Sequence, residues 1–151
     1  MNELSLHVPA FEELEYRQKI LSQEDTMSYN KEYHLGLENY NNETGCINFS
    51  KYWNEWYSKW ISKRYKRYYA YIVNNNTGEF IGEVWFYYDK QRDLYRIGVV
   101  IESKHRGNGY CSKVLIKLAD TSFKDFDVNK IRNVISLERE SDIKGHKRAG
   151  F

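Results

Sequence analysis

The stretch Ile101-Glu102-Ser103-Lys104-His105-Arg106-Gly107-Asn108-Gly109-Tyr110-Cys111 joins two different periodicities through a loop with two glycines. Residues 94–102 end in β-branched side chains and predict a strand, whereas apolar residues at helical spacing predict a helix over 110–123. The first turn of a helix leaves backbone N–H groups without partners, and glycines let an anion reach them. The stretch therefore predicts an anion site of the kind that holds a pyrophosphate.

Two familiar phosphate-binding patterns do not fit this loop. It lacks the Gly-Lys-Ser/Thr ending of a P-loop, and Gly107-x-Gly109-x-x-Ser112 lacks the third glycine of the dinucleotide fingerprint. It also follows an antiparallel meander rather than the first strand of a βαβ unit. On spacing alone, a tight turn without a ligand is an equal alternative.

Outward from this loop, helix and strand signals alternate over what we predict to be a single domain, residues 1–151. Helices are predicted over 10–22, 51–64, 110–123 and 140–148, a polar turn over 24–30, and strands over 68–73, 80–88, 94–102 and 130–137. Trp53, Trp56, Tyr57 and Trp60 lie on one face of the second helix, which favours core packing. This order predicts an α/β (α+β) fold in which helices flank a mixed, mostly antiparallel sheet.

The composition restricts the functional class. The 151 residues are 41% hydrophobic with a formal net charge of +2, which argues against a protein that mainly coats nucleic acid. No run approaches the roughly 20 apolar residues of a membrane span, and the N-terminus has no signal-peptide pattern. Cys46 and Cys111 match no metal or disulfide spacing, and the four histidines are scattered. We therefore expect no metal, no membrane contact and a reduced, cytoplasmic setting.

Two segments resemble the GNAT superfamily of acyl-CoA-dependent N-acetyltransferases. Arg106-Gly107-Asn108-Gly109-Tyr110-Cys111 is similar to the family motif Arg/Gln-x-x-Gly-x-Gly/Ala, with Cys111 in place of the small last residue. The C-terminal segment keeps the spacing of Asn-x-x-Ala-x-x-Leu-Tyr-x-x-x-Gly-Phe and ends in Gly150-Phe151, but Arg139 replaces Asn and His146 replaces Tyr. Family chains normally continue past Gly-Phe. The resemblance therefore implies a GNAT-like fold that lacks its last C-terminal strand or strands. Three alternatives stay open: a truncated sequence, a natural short form, or a sheet that a second copy in a homodimer completes.

The resemblance also implies acetyl-CoA as co-substrate. Its pyrophosphate would bind the loop amides, with Arg106 steadying either the loop or the phosphates. Its pantetheine would pair with the edge of strand 97–102, and its thioester carbonyl would meet an N–H near Ile101. The implied cofactor-binding residues are Val99, Ile101, Arg106, Gly107, Asn108, Gly109, Tyr110, Cys111 and Ser112.

Direct acetyl transfer further needs a base for the amine and an acid for the leaving thiolate. Glu83 is a candidate base if its strand parity turns it inward, and the alternative is a solvent-facing charge. Glu102 is a weaker candidate that could simply face water. His146 is the candidate acid, with an exposed helix histidine as the alternative. Candidate residues of the acceptor pocket are Met27, Tyr29, Tyr33 and Trp85, together with Trp56 and Tyr87.

These patterns predict an N-acetyltransferase that acts on the amine of a small molecule or peptide. One alternative is a GNAT-like domain that binds acyl-CoA without turnover, because the Arg139 and His146 positions depart from the family pattern. Another is nucleic-acid binding through segment 59–69, which mixes cations with aromatic residues as stacking platforms do. The low net charge makes the second alternative the weaker one.

Overall fold

The fold is built on a five-stranded sheet whose strands lie side by side in chain order. The computed structural model describes residues 3–135 and 139–151. The strands are β1 (Leu4–His7), β2 (Arg67–Asn74), β3 (Phe80–Asp89), β4 (Leu94–Ile101) and β5 (Ile131–Arg132). Neighbours β1 to β4 pair antiparallel, and β5 pairs parallel with β4. The predicted mixed, mostly antiparallel sheet is confirmed, and a further strand from a second copy stays a prediction.

Helices cover both faces of this sheet. They are α1 (Leu14–Leu21), α2 (Glu24–Met27), α3 (Trp53–Tyr57), α4 (Tyr110–Asp125) and α5 (Glu140–Arg148). Short 3-10 turns (Phe11–Glu13, Ser28–Asn30 and Ser103–His105) and a π turn (Ser58–Ser62) extend or connect them. Within the described residues, no helix is both long and apolar enough to cross a membrane.

Three element predictions need correction. Strand β1 was not predicted, because it is four residues long and its partner Asn74 lies far along the chain from Leu4. Segment 24–30 was predicted as a polar turn, yet it forms α2 and a 3-10 turn, and the side chains of Thr26 and Asn30 bond to residues elsewhere in the fold. The strand predicted over 130–137 is shorter: among 130–135 only Ile131–Arg132 forms a paired strand, and the prediction for 136 and 137 lies outside the described residues.

Side-chain alternation divides the sheet into two apolar layers. On one face, Val84, Phe86 and Ile97 pack against the buried stripe of α4. On the other face, Trp85 and Val100 pack with residues of α1, α2 and α3. The aromatic stripe of α3 contributes to this second layer, where the Trp56 ring meets the Tyr69 ring edge-on at a centroid distance of 4.5 Å.

The end of β4 keeps one open edge. The Tyr95 N–H donates to the Lys130 carbonyl on the β5 side (3.0 Å), whereas the Glu102 N–H donates to the Ile81 carbonyl on the β3 side (2.9 Å). Because N–H groups alternate sides along a strand, the amides of Val99 and Ile101 point toward the β5 side. The last β4–β5 pair is Arg96 with Arg132, so within the described residues no strand covers these two amides.

Candidate active site

The loop between β4 and α4 exposes the start of a sixteen-residue helix. Gly107 and Gly109 have φ angles of +83° and +75°, a region that disfavours other residues, and a Cβ at either position would meet open space. Gly109 is the N-cap and supplies no side-chain bond to the helix. The first-turn amides of α4 are therefore uncapped, and the positive end of the helix dipole faces the loop. The Asn108 amide Nδ2 donates to the His105 carbonyl (2.9 Å) and closes the loop.

Arg106 binds protein carbonyls rather than pointing into open space. Its Nε donates to the Ile101 carbonyl (3.0 Å), and its two terminal nitrogens donate to the Asp25 and Thr26 carbonyls (3.2 and 2.8 Å). Burial lowers the pKa of this guanidinium. The resemblance implies that Arg106 steadies either the loop or the phosphates. The observed bonds support the first role, because they attach the loop to α2.

A cavity of about 750 Å³ lies between this loop and α5. All the predicted cofactor-binding residues line it except Asn108, together with three basic residues of the C-terminal segment (Val99, Ile101, Arg106, Gly107, Gly109, Tyr110, Cys111 and Ser112; Arg139, Lys144 and Arg148). It thus brings the uncapped helix start, the open edge of β4 and a set of cations to one space.

Cys111 connects the two helices that form this cavity. A Cβ added at Gly145 of α5 would lie 3.1 Å from the Cys111 Sγ, so the glycine permits the close approach. Burial, with the nearby Asp142 charge, raises the pKa of the Cys111 thiol to about 11. The thiol is therefore protonated at neutral pH, which suits packing and not nucleophilic attack.

A second cavity of about 230 Å³ adjoins the first. The two share Tyr29, Val99, Cys111, Arg139 and Asp142, so one space continues into the other along β4. The second cavity is also lined by Trp85, Tyr87, Arg96, Gly98 and His146. A Cβ at Gly98 would overlap the Trp85 indole, so this glycine lets the ring lie against β4 and form the wall of the cavity.

The structure places only some of the candidate acceptor residues at a cavity. Tyr29, Trp85 and Tyr87 line the second cavity. Met27 is 1% exposed in the core with Leu14 and Phe49, so its placement in the pocket is corrected. Tyr33 is 47% exposed on the surface loop that follows α2 and lines neither cavity.

Glu83 is buried in an ion pair and lines neither cavity. It is 2% exposed, accepts from Arg17 at 2.5 Å, and accepts from the Tyr69 hydroxyl. The Arg17 guanidinium lies 4.4 Å from the Trp56 ring centre, so a cation already occupies the aromatic surroundings of the carboxylate. Glu83 faces inward as one alternative predicted, but the structure does not bring it to the cavities where a base would act.

Glu102 is also buried and paired, which corrects the expectation that it faces water. It is 1% exposed and accepts from Gln23 Nε2 at 2.9 Å, while Lys19 Nζ lies 3.7 Å away. Burial and the Glu102 charge raise the pKa of Tyr16, whose hydroxyl lies 3.4 Å from the carboxylate. Glu102 borders a third cavity, of about 370 Å³, on the α2 side of Arg106.

His146 lines the second cavity with both ring nitrogens engaged. It is 7% exposed, so it is not the surface histidine of the alternative interpretation. Its Nδ1 donates to the Asp142 carbonyl (2.7 Å), and its Nε2 lies 2.9 Å from the Asn133 amide Nδ2. The Asn133 Oδ1 accepts from the Val134 N–H, which directs Nδ2 at the imidazole. This assignment of hydrogen positions makes Nε2 an acceptor.

Tyr29 lies at the junction of the two cavities. Its ring faces the Arg139 guanidinium at 4.5 Å, and Arg139 in turn pairs with Asp142. Burial, with the charge of Glu83, raises the pKa of the Tyr29 hydroxyl to about 12. The hydroxyl therefore keeps its proton at neutral pH.

Sequence reasoning missed two arginines of this region. Nothing near Arg17 marks it as the partner of Glu83, because the pair joins α1 to β3. Arg96 could have been found by parity: the β3–β4 turn pairs it with Tyr87, which places both on the face that carries Trp85.

Comparisons with known proteins agree with this geometry. The family model described as an acetyltransferase (GNAT) domain matches residues 6–151. A Vibrio cholerae spermidine N-acetyltransferase, solved in complex with CoA and spermine, matches with a TM-score of 0.76 and 18% identity over 98% of this chain and 80% of that one. A Bacillus anthracis GNAT-family acetyltransferase matches with a TM-score of 0.69 and 18% identity, over 99% and 80% of the two chains. No curated protein sequence matches the chain.

Proposed function

The chain belongs to the GNAT acetyltransferase family, and from this premise we propose that it transfers the acetyl group of acetyl-CoA to the primary amine of a small molecule or peptide. One observation carries the proposal. The uncapped start of α4 and the open edge of β4 meet in the 750 Å³ cavity, and that cavity continues into a smaller one beside Trp85.

The residues of the larger cavity fit acetyl-CoA by their chemistry. The amides from Gly107 to Ser112 offer donors for a pyrophosphate at the positive end of α4. Lys144 and Arg148 add cations from α5. The amides of Val99 and Ile101 offer strand-like pairing to the pantetheine, and the one nearest the thioester would polarise its carbonyl.

In direct transfer the amine nitrogen bonds to the acetyl carbon, the carbon–sulfur bond breaks, the nitrogen loses a proton and the thiolate gains one. Glu83 and Glu102 are held by Arg17 and by Gln23, so we assign removal of the amine proton to solvent in the second cavity. Much of the acceleration then comes from positioning the amine against the thioester.

Tyr29 is the better supported of two residues of the second cavity as proton donor to the thiolate, because it holds its proton at the junction. His146, at the position expected from the family pattern, donates from Nδ1 to the Asp142 carbonyl and accepts at Nε2, so it has no free proton to give. The variants Tyr29→Phe and His146→Gln separate them. The variant that loses kcat while it keeps acetyl-CoA affinity identifies the proton donor.

Calorimetry with acetyl-CoA, followed by thiol release with a panel of amines, tests the proposed function. Gly109→Trp fills the space beside the α4 amides, and we expect acetyl-CoA affinity to fall at least about tenfold. Gly78→Trp is a matched control, because Gly78 in the β2–β3 turn has the same φ of +75° and open surroundings. A folded protein that binds no acetyl-CoA, or equal affinity in the two variants, would sink the proposal.

The same experiment addresses the two alternatives. Acetyl-CoA binding without thiol release for any amine would support the non-catalytic acyl-CoA-binding domain. Nucleic-acid binding through 59–69 has less support, because three of its five cations lie on rings of the protein itself. Arg67 lies 4.9 Å from the Trp60 ring centre, Lys66 lies 4.3 Å from that of Tyr88 and Arg64 lies 5.3 Å from that of Phe126. An affinity for oligonucleotide that falls with salt would favour it.

A further inference from the structure

The described lining of the second cavity carries an excess of positive charge. Among the described residues that line it are two guanidinium groups, Arg96 and Arg139, and one carboxylate, Asp142. Arg139 pairs with Asp142, so these two charges offset each other. Within residues 3–135 and 139–151, Arg96 forms no ion pair with a carboxylate. One cation therefore faces the cavity without a neutralising partner among the described residues.

Arg96 is placed to act on a ligand there. It lies on β4 two residues before Gly98, on the face that carries Trp85, and it pairs across the strands with Tyr87. The residue is half-buried and lines the cavity. A planar guanidinium beside aromatic walls matches a carboxylate or phosphate through two parallel hydrogen bonds.

The same surroundings disfavour an acceptor with several positive charges. The buried carboxylates Glu83 and Glu102 do not line this cavity and are engaged by Arg17 and by Gln23, so neither is free to receive a second ammonium group. An additional ammonium in this cavity would face Arg96 instead. This charge pattern does not suit a polyamine, the class to which the spermine bound by the Vibrio cholerae neighbour belongs.

We infer that the acceptor is a small amine that also bears an anionic group, which Arg96 binds while the amine points toward the larger cavity. This inference rests on the proposed function and names the substrate class of the same site. The volume of about 230 Å³ is below that of most drug-sized ligand pockets and suits a molecule the size of an amino acid.

Thiol release from acetyl-CoA with matched amines tests the inference. Alanine and phenylalanine would be compared with their α-amides and with the corresponding α-aminophosphonates, and spermidine would represent the polyamines. We expect kcat/KM for the acids to exceed that for the amides by about 10- to 100-fold, the contribution of a charged hydrogen-bonded pair. A preference for the carboxylates or for the phosphonates identifies which anion the site takes.

Arg96→Gln should remove this preference, and the loss should appear mainly in KM because Arg96 binds a group remote from the reacting atoms. Arg67→Gln is the matched control: Arg67 pairs with Tyr87 from the other side but lies over Trp60 and lines neither cavity. We expect that variant to keep the preference. Amides or spermidine used as well as the acids, or the preference surviving in Arg96→Gln, would overturn the inference and leave the proposed function standing.

A binding measurement separates the inference from turnover. Calorimetry would compare N-acetylalanine with its amide on the CoA-loaded protein, with Arg96→Gln in parallel. If the acid binds more tightly than the amide and the difference depends on Arg96, the anion site is supported. This holds even if no amine releases thiol, and in that case only the proposed function fails. Equal binding of acid and amide overturns the anion site whatever the turnover.

Discussion

A single guanidinium, that of Arg17, determines what the most buried carboxylate of the sheet can do. It pairs with Glu83 inside a group of aromatic rings formed by Phe49, Trp56 and Tyr69. Such a pair gains little stability over apolar residues, yet removing one partner leaves the other charge uncompensated. At the scale of one residue, the pair withdraws Glu83 from the cavities.

Replacing Arg17 by Met should therefore lower the free energy of unfolding by about 3–5 kcal/mol, as measured by urea denaturation. Adding Glu83→Leu should recover part of this loss, because no buried charge is then left unpaired. Arg92→Met is the control, since the Arg92–Asp89 pair lies at the exposed β3–β4 turn and should matter little. Equal effects of Arg17→Met and Arg92→Met would contradict the assigned role.

At the scale of an element, strand β4 contributes to both cavities, through its open edge and through the face at Gly98. The amides of Val99 and Ile101 point toward the larger cavity. Gly98 leaves room for the Trp85 ring, which forms a wall of the smaller cavity. Strand alternation and the early end of the pairing with β5 therefore place two binding surfaces on one strand.

The variant Gly98→Ala tests this use of β4. The new methyl group overlaps the indole, and we expect a loss of about 1–3 kcal/mol in stability from overpacking. Displacing Trp85 should also raise the acceptor KM while acetyl-CoA affinity stays close to its original value. In a double-mutant cycle with Trp85→Leu, the cost of Gly98→Ala should fall. Additive effects in that cycle would show that the two residues do not interact.

At the scale of the whole molecule, Arg106 attaches the N-terminal helices to the candidate cofactor site. Its guanidinium bonds to the carbonyls of Asp25 and Thr26 in α2 and of Ile101 in β4. The Thr26 hydroxyl reinforces the junction by accepting from the Ser103 N–H at 3.0 Å. The position of the loop thus depends on a segment about 80 residues earlier in the chain.

Arg106→Met should lower stability by about 2–3 kcal/mol, because it leaves buried carbonyls without donors. Hydrogen exchange of the α2 amides should become faster, and acetyl-CoA affinity should fall because the loop loses its support. Lys104→Met, an exposed change in the same loop, serves as the control. If α2 exchange is unchanged in Arg106→Met, the attachment is not what holds this segment.

Prediction from sequence succeeded where the information is local. The β3–β4 hairpin and helix α4 follow directly from hydrophobic spacing and turn residues. Strand β1 and helix α2 were missed because each is only four residues long and depends on partners elsewhere in the fold. Local spacing contains no information about those partners.

The amino-acid sequence by itself determined the longer strands and helices, the glycine loop before α4 and the resemblance to the GNAT superfamily, because backbone preference and hydrophobic period are encoded within a few residues. Only the tertiary structure decided which charged groups are free. Arg17 withdraws Glu83 across a separation of 66 residues, Gln23 and Lys19 engage Glu102, and Arg96 faces a cavity whose other charges are paired. The chemical availability of a side chain depends on its burial and its partners, and long-range packing supplies both.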